Sequence, residues 1–187
     1  YRAIVDRYFG PEAMAAFEPL CRELAAELID DAVARGGGEA QGQLGEPAAV
    51  RMQCAFMGWP HSMRDELTAW QDANERATRS GDRSRTKAVA ESFARKVVAL
   101  LEERRGLGGE APDDPTTLLL SERVHGRPLT DEELVSIIRN WTVGELGSIA
   151  ASIGIIVERL ASDQDLQANL RSHPKRLPAA IDEILRV

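Results

Sequence analysis

The chain has 187 residues, of which 23 are basic and 30 acidic, so its formal net charge is −7. This length is enough for one domain with a substantial hydrophobic core, and the acidic balance argues against nucleic acids and anionic membrane surfaces as partners. The sequence has no run of about 18 apolar residues and no signal-peptide pattern. We therefore predict a protein of the cytoplasm that binds neither nucleic acid nor membrane.

Proline and glycine separate the first two predicted helices. Residues 1–9 carry apolar side chains at helical spacing, and Gly10 ends that helix. Pro11 opens a helical turn, and Pro19 opens a longer helix over residues 20–35. The side chains predicted to face the core from this longer helix are Leu20, Cys21, Leu24, Leu28 and Val33.

Helical patterns continue through the next ninety residues. The triple glycine at 36–38 is interpreted as a helix end, because a phosphate-binding loop would need a preceding strand and a Gly-Lys-Ser/Thr sequence. A polar loop follows over residues 39–46. The helices predicted after it cover residues 47–57, 62–79, 83–105 and 116–124. No strand, repeat or βαβ alternation is found, so the predicted fold class is all-α.

The longest predicted helix covers residues 130–162. Thr130 can cap its start while Glu133 reaches back to the capping residue. At a rise of about 1.5 Å per residue this helix is roughly 50 Å long, so it should cross the whole domain. Its second half, from Leu146 to Val157, has no charged residue. A helix that is apolar all round is usually buried, so we predict that this half is covered on all sides.

The middle of this helix reads Val143-Gly144-Glu145-Leu146-Gly147-Ser148. Glycine weakens a helix by about 1 kcal/mol relative to alanine, which indicates that something approaches the backbone closely here. Glu145 and Ser148 are three residues apart on one face and could relay protons to a flat ligand or to dioxygen. Alternatively, Ser148 bonds back to a carbonyl, Glu145 reaches the surface or an arginine, and the glycines serve helix packing. Both interpretations stay open.

Cysteine, histidine and paired aspartate give no clear metal site. Cys21 and Cys54 lie within helical patterns, so we predict free, buried thiols in a reducing compartment. The histidines lie beside proline or glycine in turns and lack the spacing of metal ligands. They are His61, His125 and His173. Asp113 and Asp114 resemble the metal-binding acids of helical terpene cyclases, but no third carboxylate follows at helical spacing.

The order of several short motifs resembles the cytochrome P450 family. The long helix is followed by His173-Pro174 and then by a helix with Glu183-x-x-Arg186, which is similar to that family's Glu-x-x-Arg. Residues 2–11 are similar to the family's third helix and the Phe-x-Pro turn after it. Residues 57–60 are similar to its Leu-Gly-x-Pro. The resemblance covers the whole chain and implies the central helical part of one cytochrome P450 domain, truncated at both ends.

The resemblance also implies roles for individual residues. Haem would lie under the long helix, dioxygen would bind at the Gly144 groove, and substrate would lie above it. The implied cofactor-binding residues are Val143, Gly144, Gly147 and Arg2. The implied catalytic residues are Glu145 and Ser148. Glu183 and Arg186 would form a structural ion pair.

Two departures from the family pattern limit the activity expected of this chain. The family usually has Ala-Gly-x-Asp/Glu-Thr-Thr in the long helix, whereas here the acid is displaced by one position and Gly147 replaces the first threonine. Neither Cys21 nor Cys54 matches the family's Phe-x-x-Gly-x-x-x-Cys haem-ligand loop. The parent enzyme would insert one oxygen atom into a small organic substrate, and a ferredoxin-type donor would supply its electrons. The chain alone would be inactive, and the alternative is a non-catalytic helical ligand-binding or regulatory module.

Overall fold

The structure, a computed structural model, describes residue 4 and residues 6–186. Arg2, one of the predicted cofactor-binding residues, lies outside this part of the chain, as do residues 1, 3 and 5 of the first predicted helix. Within the described residues the fold is mainly helical, which confirms the all-α prediction. The helices are α1 (Pro11–Ala34), α2 (Glu46–Met57), α3 (Met63–Arg79), α4 (Arg83–Leu107), α5 (Pro115–Ser121), α6 (Asp131–Ser162), α7 (Gln164–Ser172) and α8 (Leu177–Arg186).

Helix α6 is the predicted long helix, and its start is fixed by a reciprocal cap. The Glu133 backbone N–H donates to Thr130 Oγ1 at 3.3 Å, and the Thr130 N–H donates to Glu133 Oε2 at 2.8 Å. One side of α6 packs on α2 and on a π-helical turn at Gln41–Gly45. The core therefore lies between α2, α3, α4 and the first half of α6. Its most deeply buried side chains include Met57, Leu67, Leu101, Leu119, Leu134, Ile138 and Leu146.

The prediction that Leu146–Val157 is buried on all sides is wrong for the described part of the chain. Gly147 and Ser148 are exposed, and Ile155 is 49% exposed. The buried positions Leu146, Ala150 and Gly154 lie along one side, which is the side that α2 and the π-helical turn cover. The helix is therefore apolar on a face that the described residues do not cover.

Helix α1 is continuous from Pro11, so the predicted start at Pro19 is wrong. Pro19 lies inside the helix and on its exposed side, where the carbonyl it leaves without a partner can bond to water. The predicted core face is also too wide, because only Leu24 and Leu28 are buried. Leu20 is 39% exposed and Val33 is 72% exposed. The glycines at 36–38 end this helix as predicted.

The segment predicted as a polar loop over residues 39–46 forms the π-helical turn instead. The Glu39 carboxylate accepts the Gln41 backbone N–H at 2.8 Å, which holds the start of the turn. A Cβ atom on Gly45 would lie 2.5 Å from the Ala150 carbonyl oxygen, so glycine permits the turn to pack directly on α6. A Cβ on Gly154 would lie 3.2 Å from Gln41 Cβ. Close backbone packing between the two elements explains a turn that composition alone did not indicate.

A two-stranded hairpin follows α5, although the sequence predicted no strand and a helix up to residue 124. Strand β1 (Arg123–Val124) pairs antiparallel with β2 (Arg127–Pro128). His125 and Gly126 have φ angles of 49° and 79°, as a two-residue type I′ turn requires. Strands of two residues are too short to show an alternating pattern, which is why the sequence did not reveal them.

Candidate functional site

The exposed side of α6 has a stretch with little side-chain bulk, formed by Val143, Gly144, Gly147 and Ser148. We refer to these four residues as the glycine face. They are exposed and adjacent on the helix surface, because positions four apart lie one turn above each other. A Cβ atom on Gly144 or on Gly147 would meet nothing within 4 Å. Within the described residues these glycines therefore do not serve helix packing.

A cavity of about 900 Å³ opens beside the glycine face, between α3, α4 and α6. We refer to it as the large cavity. Its walls combine the aromatic rings of Trp70 and Trp141 with polar side chains from all three helices. Asn74 comes from α3, Thr86 from α4 and Asn140 from α6. Such a mixture of apolar walls and a few polar groups is typical of a site for a small organic molecule.

The two predicted catalytic side chains lie in different surroundings. Ser148 Oγ is within hydrogen-bond distance of the Gly144 carbonyl oxygen, at 2.8 Å, and of the Glu145 carbonyl oxygen, at 3.1 Å. This is the back-bonding that the alternative interpretation predicted, and it engages the hydroxyl proton within the helix. Glu145 is exposed and lines the large cavity, close to Val143 and Gly144 on the same wall.

An aromatic cluster that the sequence analysis missed closes one end of the large cavity. The Trp141 ring centroid lies 5.1 Å from those of both Tyr8 and Phe9, and Phe9 lies 5.2 Å from Phe56. Tyr8 Oη donates to the Glu122 carboxylate at 2.8 Å, and burial raises the pKa of Tyr8. The only signal in the sequence was Trp141, three positions before Gly144, because its partners are distant along the chain.

Known proteins similar to this chain were found by sequence and by structure, although no protein-family model matches it. A probable cytochrome P450 127A1 from Sinorhizobium fredii is 28% identical over 188 residues, covering 100% of the chain and 44% of the relative. A mycinamicin IV hydroxylase/epoxidase from Micromonospora griseorubida is 25% identical, covering 99% of the chain and 46% of the relative. The LnmZ cytochrome P450 hydroxylase from Streptomyces atroolivaceus has a TM-score of 0.82 and 28% identity, covering 99% of the chain and 50% of that structure.

The chain is a homologue of the bacterial cytochromes P450. This confirms the resemblance that the order of motifs predicted. The chain spans about half the length of the curated relatives that it matches, and its helices form part of the cytochrome P450 fold. The cytochrome P450 family implies haem in the parent enzyme.

The glycine face fits one side of a flat cofactor such as the haem of cytochromes P450. Gly144 and Gly147 leave open space one turn apart, and the large cavity adjoins Val143 and Gly144. A planar ring can therefore approach the α6 backbone without displacing a side chain. The described residues contain no group of three or more His, Cys, Asp or Glu side chains that could hold a metal ion.

The cysteines do not provide the thiolate ligand that a cytochrome P450 haem needs. Cys54 is 1% exposed in the core, and burial raises its pKa to about 11. Cys21 is half-buried on α1, and burial together with the nearby Glu18 carboxylate raises its pKa. Neither cysteine lines the large cavity, and both are free thiols, as the sequence predicted.

The Glu-x-x-Arg motif of the cytochromes P450 forms a bidentate ion pair on α8. Arg186 Nη2 lies 2.6 Å from Glu183 Oε1, and Arg186 Nε lies 3.0 Å from Glu183 Oε2. The mutual hydrogen bonds lower the pKa of Glu183 and raise that of Arg186. Both side chains are exposed, so the pair by itself adds little to stability.

None of the helices in the described part of the chain is long and apolar enough to cross a membrane.

Gly147→Ala should raise the free energy of unfolding by about 1 kcal/mol, because alanine favours the helix and the new methyl group meets open space. Gly154→Ala is the matched control on the same helix. Its Cβ would lie 3.2 Å from Gln41 Cβ, so the helical gain should be offset by crowding. Urea unfolding of both variants measures the difference. No gain for Gly147→Ala would contradict the assignment of Gly147 to an open face, and an equal gain for both variants would contradict the crowding at Gly154.

Proposed function

We propose that the chain is the central helical part of a haem-thiolate monooxygenase, which inserts one oxygen atom into a small organic substrate. The homology to hydroxylases and epoxidases supports this activity. The observation that carries the proposal is the glycine face, which offers an open backbone surface next to a cavity of about 900 Å³. Residues 1–187 would belong to one domain of a longer cytoplasmic protein.

Haem would lie against Val143, Gly144 and Gly147, and Arg2 would be a further cofactor-binding residue. When bound, haem with a thiolate ligand supplies the activation of dioxygen. Because neither cysteine of this chain is suited to be that ligand, it would come from a cysteine outside residues 1–187. The chain alone would then lack activity, and electrons would come from a ferredoxin-type donor.

The substrate would occupy the large cavity, in contact with the aromatic rings of Trp70 and Trp141. Asn74 and Asn140 would orient its polar groups, because they face the cavity from different helices. Glu145 is suited to exchange protons at this wall because its carboxylate is exposed to the cavity. Ser148 would assist through its hydroxyl group after releasing its bond to the Gly144 carbonyl.

The first test is the coding sequence beyond codon 187, which should encode a Phe-x-x-Gly-x-x-x-Cys loop. The longer protein should then give the thiolate type of carbon monoxide spectrum after reduction. Gly144→Leu should lower its haem content at least about tenfold, because the leucine side chain would occupy the glycine face. Gly106→Leu is the matched control, since Gly106 is also an exposed helical glycine with nothing within 4 Å. A stop codon at position 188, or equal haem content in both variants, would contradict the proposal.

A second candidate is a non-catalytic helical ligand-binding or regulatory module. The large cavity, which combines apolar walls with polar groups from three helices, is compatible with it, because such a module needs no iron ligand. Two measurements separate the candidates. Titration of the 187-residue chain with small apolar molecules would give saturable binding for a module, whereas the carbon monoxide spectrum of the longer protein would identify the enzyme.

A further inference from the structure

A second cavity, of about 330 Å³, lies between the π-helical turn, α3 and α6. We refer to it as the inner cavity. From α6 it is lined by Val143, Leu146, Gly147 and Ala150, none of which can ionise. Because Gly147 belongs both to this lining and to the glycine face, no side chain separates the two there. Water takes about 30 Å³ per molecule in the liquid, so the inner cavity has room for several waters.

A third cavity, of about 320 Å³, lies between α2 and α3, and its lining includes no described residue of α6. We refer to it as the outer cavity. Glu46, at the start of α2, and Gln71, on α3, line both the inner and the outer cavity. Glu46 therefore lies at the junction between them. The other polar residues of the outer cavity include Arg51, His61, Arg64, Asp65, Thr68 and Asp72.

The surroundings of Glu46 raise the pKa of its carboxyl group. It is half-buried, and burial raises the pKa of its carboxyl group, as do the nearby Asp72, Glu75 and Glu39 carboxylates. Glu75 forms an ion pair with Arg79, so its charge is partly compensated. The remaining charged or titratable groups that face Glu46 across the outer cavity are Arg51, which pairs with Glu27, and Arg64, Asp65 and His61.

Monooxygenation by dioxygen consumes protons as well as electrons, so the proposed function needs a proton supply at the glycine face. Helix α6 contributes no ionisable group to the inner cavity, and the carboxyl groups there come from α2 and α3. Water held between these polar walls can bridge groups that are too far apart for a direct hydrogen bond.

We propose that Glu46 is the proton-relay group of a water-filled route that runs from the outer cavity through the inner cavity to the gap at Gly147. The O–H bond of the Glu46 carboxyl group breaks as its proton passes to a water in the inner cavity. The bond forms again with a proton from water in the outer cavity, and no electron moves. This inference rests on the proposed function, because that reaction is what consumes the protons.

The first test measures the Glu46 carboxyl group in the 187-residue chain by carbon-13 NMR as a function of pH. Its titration midpoint should lie above the ordinary value for an exposed glutamate, which is about 4.3. Asp72→Asn should lower that midpoint, because the Asp72 charge is one cause of the raised pKa. Asp30→Asn, at an exposed position on α1, should leave it unchanged. An ordinary midpoint, or no response to Asp72→Asn, would overturn the proposal.

The second test uses the haem-loaded enzyme that contains this chain. Glu46→Gln should keep the thiolate spectrum but lower the product formed per electron pair at least about tenfold, with the electrons released as hydrogen peroxide. Glu46→Asp should restore part of the coupling, and Glu23→Gln, at an exposed position on α1, should not change it. Unchanged coupling in Glu46→Gln would overturn the proton route alone. A missing thiolate spectrum in the unaltered enzyme would overturn the proposed function and this route with it.

Discussion

Asp114→Ala should lower the free energy of unfolding by about 3–5 kcal/mol, because it removes the buried charged partner of the Arg104 guanidinium. Arg104 Nη2 lies 3.1 Å from Asp114 Oδ2 and donates to the Gly58 carbonyl at 2.6 Å. Asp114 also caps α5 by accepting the Thr117 backbone N–H at 2.8 Å. Urea unfolding of the 187-residue chain measures the loss.

Asp113→Ala provides the control at the neighbouring position. Asp113 is exposed, so its replacement should change the free energy of unfolding by less than about 0.5 kcal/mol. Arg104→Met combined with Asp114→Asn should cost less than the sum of the two single changes, because neither charge is then left buried alone. Equal stability of Asp114→Ala and Asp113→Ala would show that Arg104 finds another partner, such as Glu103, whose carboxylate is 3.7 Å away.

Gly58→Ala should cost about 3 kcal/mol or more in the free energy of unfolding. Gly58 ends α2 in the left-handed conformation, with a φ angle of 69°, which costs alanine about 1–2 kcal/mol. In addition, a Cβ atom at this position would lie 2.0 Å from Asp114 Oδ2, so the buried ion pair would have to move. The two costs act on the same junction between α2, α4 and α5. Thermal unfolding monitored by circular dichroism measures the change.

Gly81→Ala separates the conformational cost from the clash. Gly81 has a φ angle of 66°, but a Cβ there would meet nothing within 4 Å. It should therefore cost only about 1–2 kcal/mol. If Gly58→Ala and Gly81→Ala cost the same, the Asp114 side chain relaxes away without loss of stability, and the ion pair is less fixed than the geometry indicates.

Local signals predicted the elements whose ends are fixed by their own residues. The start of α6 followed from Thr130 and Glu133, which bond to each other three positions apart. The end of α1 followed from the glycines at 36–38, of which Gly36 and Gly37 have positive φ angles. These features need no knowledge of distant parts of the chain, because the bonds that create them span only a few residues.

Elements that depend on packing were predicted poorly. The π-helical turn exists because Gly45 lies against the Ala150 backbone, a contact between residues far apart in the sequence. The apolar positions of α1 did not reveal that only Leu24 and Leu28 would find partners. Asp114, which the sequence analysis considered only as a metal ligand, instead pairs with Arg104 in the core. None of these outcomes is encoded in a local pattern.

Only the part of the candidate site that lies on one helix was predicted, because the rest depends on contacts between residues that are distant in the sequence. The glycines and Glu145 belong to one helix, so their spacing alone placed them near each other. The walls of the large cavity come from α3, α4 and α6, and the position of Glu46 between two cavities depends on α2 meeting α3. The motif in α6 therefore indicated the candidate site, whereas the residues that surround this site could be identified only from the structure.

The proposed function requires that the glycine face of α6 lies against the haem of the longer enzyme. We would label the glycines of the enzyme containing this chain with nitrogen-15 and compare ferric haem with diamagnetic zinc protoporphyrin by NMR. The paramagnetic iron should broaden the amide signals of Gly144 and Gly147 strongly, while those of Gly81 and Gly106 stay sharp. Sharp Gly144 and Gly147 signals in the ferric protein would contradict the account.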